Sequence, residues 1–238
     1  MKKPDLDRLL EKRTFTDGTA GLSYRLLRPG QVEAGRAYPL VVFLHGAAER
    51  GDDNEAQLVH GVAGFAADET RKRHPCFLAA PQCPTTARWV EVDWASASHA
   101  MPEEPSEPAR LVLGLIDELA RELPIDRRRV YVTGLSMGGF GAWDLLCRRP
   151  ELFAAGLVVC GGGDEKQAEK IAKIPVWVFH GEKDNAVKVE RSRNMVAALK
   201  KAGGRPRYTE YAGVGHDSWT RTYGDADELG WLFSQKKD

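Results

Sequence analysis

The sequence predicts an α/β fold: a mostly parallel central sheet with helices on both faces and an antiparallel hairpin at the N-terminal end. Three observations carry this. Five apolar runs show little alternation: LVVFL (40–44), CFLAA (76–80), VYVT (130–133), GLVVC (156–160) and VWVF (176–179). Such runs suit strands buried on both faces. Helical stripes lie between them, one made by Leu111, Val112, Leu115, Ile116 and Leu119 and another by Met195, Val196 and Leu199. Strand alternating with helix is the pattern of an open parallel sheet.

Taken in order, Asp17-Gly18 separates TFT from LSYRLL and predicts the hairpin turn. The helix after VYVT, FGAWDLLCRR, stops before Pro150. Gly203-Gly204 ends the helix that carries Met195. Asp225, with Glu228 three residues later, predicts the cap of a last helix bearing Leu229 and Leu232. The length of 238 residues fits one domain over 1–238, with residues 1–13 as an N-terminal segment. Residues 81–108 break the rhythm. They hold five prolines, Trp89 and Trp94, and are long for a plain connection, so the expectation is either a functional loop beside a site or a surface excursion anchored by its tryptophans.

Composition excludes several function classes. Lys+Arg and Asp+Glu are both 34, and this neutrality argues against nucleic acid or an anionic membrane as the main partner. The triplets Arg71-Lys72-Arg73 and Arg127-Arg128-Arg129 read as solvated surface. No run of 18 apolar residues suggests a membrane span, and MKKPDLDRLLEKRTF lacks the apolar stretch of a signal peptide. A cytoplasmic location is the expectation, or a secreted or periplasmic one if a leader has been removed. Four cysteines are too few for a disulfide scaffold in a chain this long; Cys147 and Cys160 read as core residues, and nothing demands a Cys76–Cys83 pair.

The chemistry concentrates in GLSMGG (134–139), between the strand VYVT and its helix. A sharp strand-to-helix turn exposes the middle residue, Ser136, at the carboxyl end of the sheet. The flanking glycines leave room for it, and the first helical N–H groups, that of Met137 included, face the same space. A serine so held is a candidate nucleophile, and it needs a base. The two histidines after it are His180, which ends a strand, and His216, in the glycine-flanked loop GVGHDSW. The loop residue has the freedom to reach a serine. The acid that fixes the base is Asp184 in HGEKD or Asp164 in GGGDE, with Asp184 favoured by its place directly after VWVFH; Asp217, adjacent to His216, reads as a loop carboxylate. His45-Gly46-Ala47 closes the strand LVVFL, so the N–H of Ala47 is expected to face that of Met137 as an oxyanion hole, with His45 structural. Glu49, Arg50, Asp52 and Asp53 read as an ion-paired loop at that rim, with a polar-substrate contact as the alternative. Trp89, Trp94 and Trp219 are candidate walls of a substrate cleft, or else partly buried packing residues.

With HGAAERGDDN, GLSMGG, HGEKD and GVGHDSW in this order, the chain resembles the α/β-hydrolase superfamily. Within it the chain looks like the serine esterases grouped with polyester depolymerases, feruloyl esterases and small carboxylesterases related to prolyl oligopeptidases. PQCPTTARW and HDSWTRTY match that branch. The resemblance implies a triad of Ser136, Asp184 and His216 and an oxyanion hole from Ala47 and Met137. It implies an esterase acting through an acyl-enzyme on a small or polymer-derived ester, with no cofactor. No Cys/His cluster with metal-ligand spacing is present. The rival readings are a serine peptidase and a hydrolase-fold protein that only binds.

Overall fold

The computed structural model describes residues 4–238; Met1, Lys2 and Lys3, the start of the expected N-terminal segment, lie outside the described residues. Eight strands form one sheet: β1 (Leu10–Thr16), β2 (Gly21–Leu27), β3 (Tyr38–Leu44), β4 (Phe77–Pro81), β5 (Ile125–Leu135), β6 (Ala155–Val159), β7 (Val176–Gly181) and β8 (Arg207–Tyr211). Their order is β1-β2-β4-β3-β5-β6-β7-β8. The predicted hairpin is β1 against β2, antiparallel, with Thr16 opposite Gly21. β2 also runs antiparallel to β4, and every later pairing is parallel.

The unbroken apolar runs are explained by two cores. Along β3, Leu40, Val42 and Leu44 enter one cluster with the helix stripe Leu111, Val112, Leu115, Ile116 and Leu119. Val41 and Phe43, pointing the other way, enter a second cluster with Phe65, Leu229 and Leu232. Alternate side chains face opposite sides of a strand, so a strand covered on both faces has no polar positions to spare. β5 is longer than VYVT because it starts at Ile125, opposite Tyr38, before an irregularity in register.

The helices start where their caps allow. Ser106 accepts from the N–H of Ala109 to open Glu107–Glu122, and Asp225 accepts from Asp227 and Glu228 to open Ala226–Ser234. Among the described residues no helix is long and apolar enough to cross a membrane. All four cysteines are free and buried.

Residues 82–106 carry no strand or helix, yet they are tied down by side chains that meet backbone carbonyls. Trp89 Nε1 donates to His45 O at 3.0 Å. Arg148 donates to Pro102, Glu103 and Glu104 O at 2.8, 3.0 and 3.2 Å. Arg191 donates to Ser96 O at 3.0 Å, and the Met101 N–H donates to Asp164 at 2.9 Å. Backbone groups that make no ladder must find partners elsewhere, and here arginine and carboxylate groups serve.

Candidate active site

β3 and β5 lie side by side with Leu44 opposite Gly134. Both chains therefore leave the sheet at the same edge, carrying Gly46-Ala47 and Ser136-Met137 to neighbouring positions. The turn at Ser136 is strained as expected for a sharp strand-to-helix corner: its φ is +52° and its ψ −119°. It persists because the surroundings hold it. The Ser136 N–H donates to Val159 O of β6 at 3.0 Å, and its carbonyl accepts from Gly139 and Phe140 at 2.8 and 3.1 Å.

The glycines are required by close approach. A Cβ on Gly138 would lie 2.0 Å from Leu44 O, and one on Gly134 would lie 2.2 Å from Gly138 O. Neither position admits a methyl group without moving backbone. As the first residue of its helix, Met137 has no intrahelical acceptor for its N–H.

The structure brings Ser136, His216 and Asp184 together. Ser136 Oγ is 2.9 Å from His216 Nε2, and His216 Nδ1 is 2.7 Å from Asp184 Oδ2. A carboxylate only accepts, so Nδ1 carries the proton and Nε2 presents its lone pair to the serine hydroxyl. Asp184 Oδ1 accepts from the N–H groups of Ala186 and Val187 at 2.8 and 2.9 Å. Burial pushes the Asp184 carboxyl up, but hydrogen bonds from His180, His216 and Val187 outweigh it and hold it well below the usual carboxylate range.

The loops carrying Asp184 and His216 are joined. Lys183 N–H donates to Val214 O at 2.8 Å, and Glu182 N–H donates to Tyr211 O at 3.0 Å. A Cβ on Gly181 would sit 2.1 Å from Gly215 O, so glycine is needed where the His216 loop crosses the end of β7.

Sequence reasoning set His180 aside and missed its contact. His180 is fully buried. Its Nε2 lies 3.2 Å from Asp184 Oδ2 and 2.9 Å from Val187 O, and its Nδ1 lies 2.7 Å from Ser192 Oγ. The clue was in HGEKD itself: the histidine and the aspartate stand four residues apart around a strand end, which turns the chain back on itself. Asp164 lies elsewhere in the hydrogen-bond network, accepting from Met101 and Lys166 N–H and from Gln167 Nε2. Asp217 accepts from Thr220 N and Oγ1.

Two readings need correction. Trp89 is no cleft wall: it is fully buried, edge-on to His45 at 5.2 Å. Its indole N–H is consumed by the His45 carbonyl, so it anchors the long loop. Of the other tryptophans, Trp219 meets His216 edge-on at 5.1 Å, while Trp94 stacks under Arg88 at 4.3 Å. Among the described residues the loop after Ala47 is paired only at Glu49, whose Oε1 lies 3.8 Å from His60 Nε2, and its other charges find different partners. Arg50 donates to the carbonyls of Ala47, Thr85 and Ala87, and Asp53 accepts from Glu55 N, Ala56 N and Gln82 Nε2. His45 is structural, as expected: Nε2 accepts from Cys83 N–H at 2.9 Å, Nδ1 meets Gly46 O at 2.7 Å, and burial lowers its pKa to about 4.

Among the described residues one group of potential metal ligands clusters, Cys160, Asp184 and His216, with ligand atoms within 4.8 Å of one another. Two of the three are already hydrogen-bonded to each other. Burial pushes the Cys160 thiol up to about 12, so it stands as a neutral thiol.

A mostly parallel sheet in this order, with a strained serine between a central strand and its helix, is the architecture of the α/β hydrolases. The comparison with known families narrows the class. Residues 31–229 match the phospholipase/carboxylesterase family, and the chain belongs to it, with the carboxylic ester hydrolase class that membership brings. A probable carboxylesterase of Oryza sativa subsp. japonica is 25% identical over 83% of this chain and 79% of its own length. A carboxylesterase of Arabidopsis thaliana is 25% identical over 76% of this chain and 84% of its own. Among solved structures, a thermostable esterase is 42% identical with a TM-score of 0.91; it matches 98% of this chain, which spans 64% of that one.

Replacing Gly138 by alanine is expected to lower unfolding free energy by about 3 kcal/mol or more, because backbone must give way. Urea denaturation of the purified variant checks this; an unchanged midpoint with an unchanged slope would contradict the close approach.

Proposed function

We propose that the chain hydrolyses carboxylic esters through an acyl-enzyme on Ser136, with His216 as general base and acid and Asp184 as its partner. The observation that supports this most is the relay, 2.9 Å from Oγ to Nε2 and 2.7 Å from Nδ1 to the carboxylate. Ser136 Oγ attacks the ester carbonyl as Nε2 takes its proton. Asp184 stabilises the imidazolium that forms. The oxyanion is held by the N–H groups of Ala47 and Met137, which leave adjacent strands at one edge. The imidazolium returns its proton to the departing alcohol. Water then enters, loses a proton to Nε2, and attacks the acyl carbonyl; collapse frees the acid and restores the serine.

The reading takes residues 1–238 as one catalytic unit, with 81–108 as the loop that borders the cleft. It favours a carboxylesterase, with phenolic or sugar esters as the finer class. Trp219 supports that finer class: it stands beside His216 as a partly exposed flat ring.

Ser136→Ala is expected to lower kcat on an activated ester by several orders of magnitude with the fold retained. Circular dichroism and turnover on one preparation test it, and substantial residual hydrolysis by a folded variant would sink the nucleophile assignment.

The two aspartates should separate cleanly. Asp184→Asn leaves His216 in the wrong tautomer and should cost about 10⁴ in kcat. Asp164→Asn should cost far less, since Asp164 serves a helical turn and the Met101 N–H. Comparable losses in both would undo the assignment.

The pH profile tests the relay directly. Because the Asp184 carboxyl is held below its usual range, it stays ionised as pH falls, and one group, the imidazole, governs the acid limb. kcat/KM should therefore rise with pH on a slope of one. The hydrogen bond from His180 spreads the Asp184 charge. His180→Phe removes this contact and should lower kcat/KM on an activated ester, which rate measurements on a folded variant check; an unchanged kcat/KM would show that the contact plays no part.

A further inference from the structure

Glu49 is a buried carboxylate that the proposed mechanism leaves unused. It is 7% exposed; its carboxylate accepts no hydrogen bond from the described residues, and its oxygens are not enclosed but reach solvent. Its nearest base is His60, whose Nε2 is 3.8 Å from Oε1. The adjacent guanidinium, on Arg50, is spent on the carbonyls of Ala47, Thr85 and Ala87. The other carboxylate oxygen, Oε2, sits 2.9 Å from where a Cβ of Gly46 would lie. Glu49 thus stands between His60 and the residue preceding the Ala47 N–H. His60 in turn packs on Trp219 at 5.5 Å, and Trp219 on His216 at 5.1 Å. The carboxylate, the two rings and His216 form a chain of contacts running from the residue before the Ala47 N–H to the base proposed above.

An anion at this position opposes the reaction as it stands. Negative charge develops on the carbonyl oxygen in the transition state, held by the same loop that carries a carboxylate to which the protein gives no donor. A cation carried by the substrate next to the scissile carbonyl relieves both charges at once. Its attraction to the oxyanion exists only as the oxyanion forms, so the gain falls on the chemical step.

We propose that Glu49, with His60, forms a subsite for a substrate ammonium adjacent to the scissile carbonyl, so that α-amino acid esters are favoured over neutral esters of the same shape. The proposal rests on the serine esterase reading above.

The test compares the p-nitrophenyl ester of L-alanine with p-nitrophenyl isobutyrate, which replaces the ammonium by a methyl group. Each kcat/KM is divided by the rate constant for hydroxide hydrolysis of the same ester. At pH 6.5 the wild-type ratio should favour the alanyl ester at least tenfold, mostly in kcat. The ratio should decline as pH rises through the titration of the α-amine, roughly pH 8. A pH dependence of the enzyme that is common to both esters cancels in the ratio. Glu49→Gln should bring the ratio to about one. A wild-type ratio at or below one, a ratio indifferent to pH, a ratio retained in Glu49→Gln, or an equal loss on both esters in that variant would each overturn the subsite. The first two need no variant. If neither ester turns over, or if Ser136→Ala retains turnover, the serine esterase reading itself falls.

Discussion

The helix Met137–Arg148 starts over the ends of β3 and β5 at a separation that admits no side chain. Gly138 lies against the Leu44 carbonyl, and Gly134 against the carbonyl of Gly138. That approach forces Ser136 into the left-handed region of backbone space, where a residue with a Cβ is disfavoured. Strain of this kind is stable only when several neighbours share it. Here β3, β5 and β6 all take part: β6 supplies the Val159 carbonyl that receives the Ser136 N–H. The order β3-β5-β6 at the middle of the sheet is what makes the corner possible.

The second organising element is the Asp184 charge. A carboxylate with a fully buried side chain has no business in an apolar interior unless its lone pairs are filled. Two backbone N–H groups fill one oxygen, and two histidines converge on the other. The arrangement also aims the charge. His180 is clamped between Ser192 and the Val187 carbonyl, so the partner that faces Ser136 is His216, and the carboxylate orients that ring.

Much of this was legible in the sequence. The apolar runs named the parallel strands because a strand covered on both faces has no alternation to hide it. The turn GLSMGG named the serine because close-packed backbone demands glycine in a spacing that survives as text. Legibility failed where a residue's role depends on what it faces across the fold. Trp89 read as a cleft wall, since a tryptophan in a long proline-rich loop gives no sign of the His45 carbonyl that takes its N–H. The Arg50 segment read as ion-paired from composition alone, whereas Arg50 serves carbonyls and Asp53 serves N–H groups of the loop. His180 was dismissed for rigidity, and rigidity is what its position beside Asp184 requires.

Asp164 and Asp184 show why spacing narrows a site without deciding it. Each follows a parallel strand, β6 or β7, and each could in principle support a base on a neighbouring loop. What separates them is the partner brought by the next crossover. The loop after β8 folds back on the end of β7, joined by the Lys183–Val214 and Glu182–Tyr211 hydrogen bonds, and it carries His216 to Asp184. The chain that meets Asp164 is instead the long connection after β4, which offers the Met101 N–H. The same carboxylate chemistry therefore anchors a loop at one strand end and a histidine at the next. The difference arises from sheet order, since β8 pairs with β7 and leaves β6 to the connection that crosses above it.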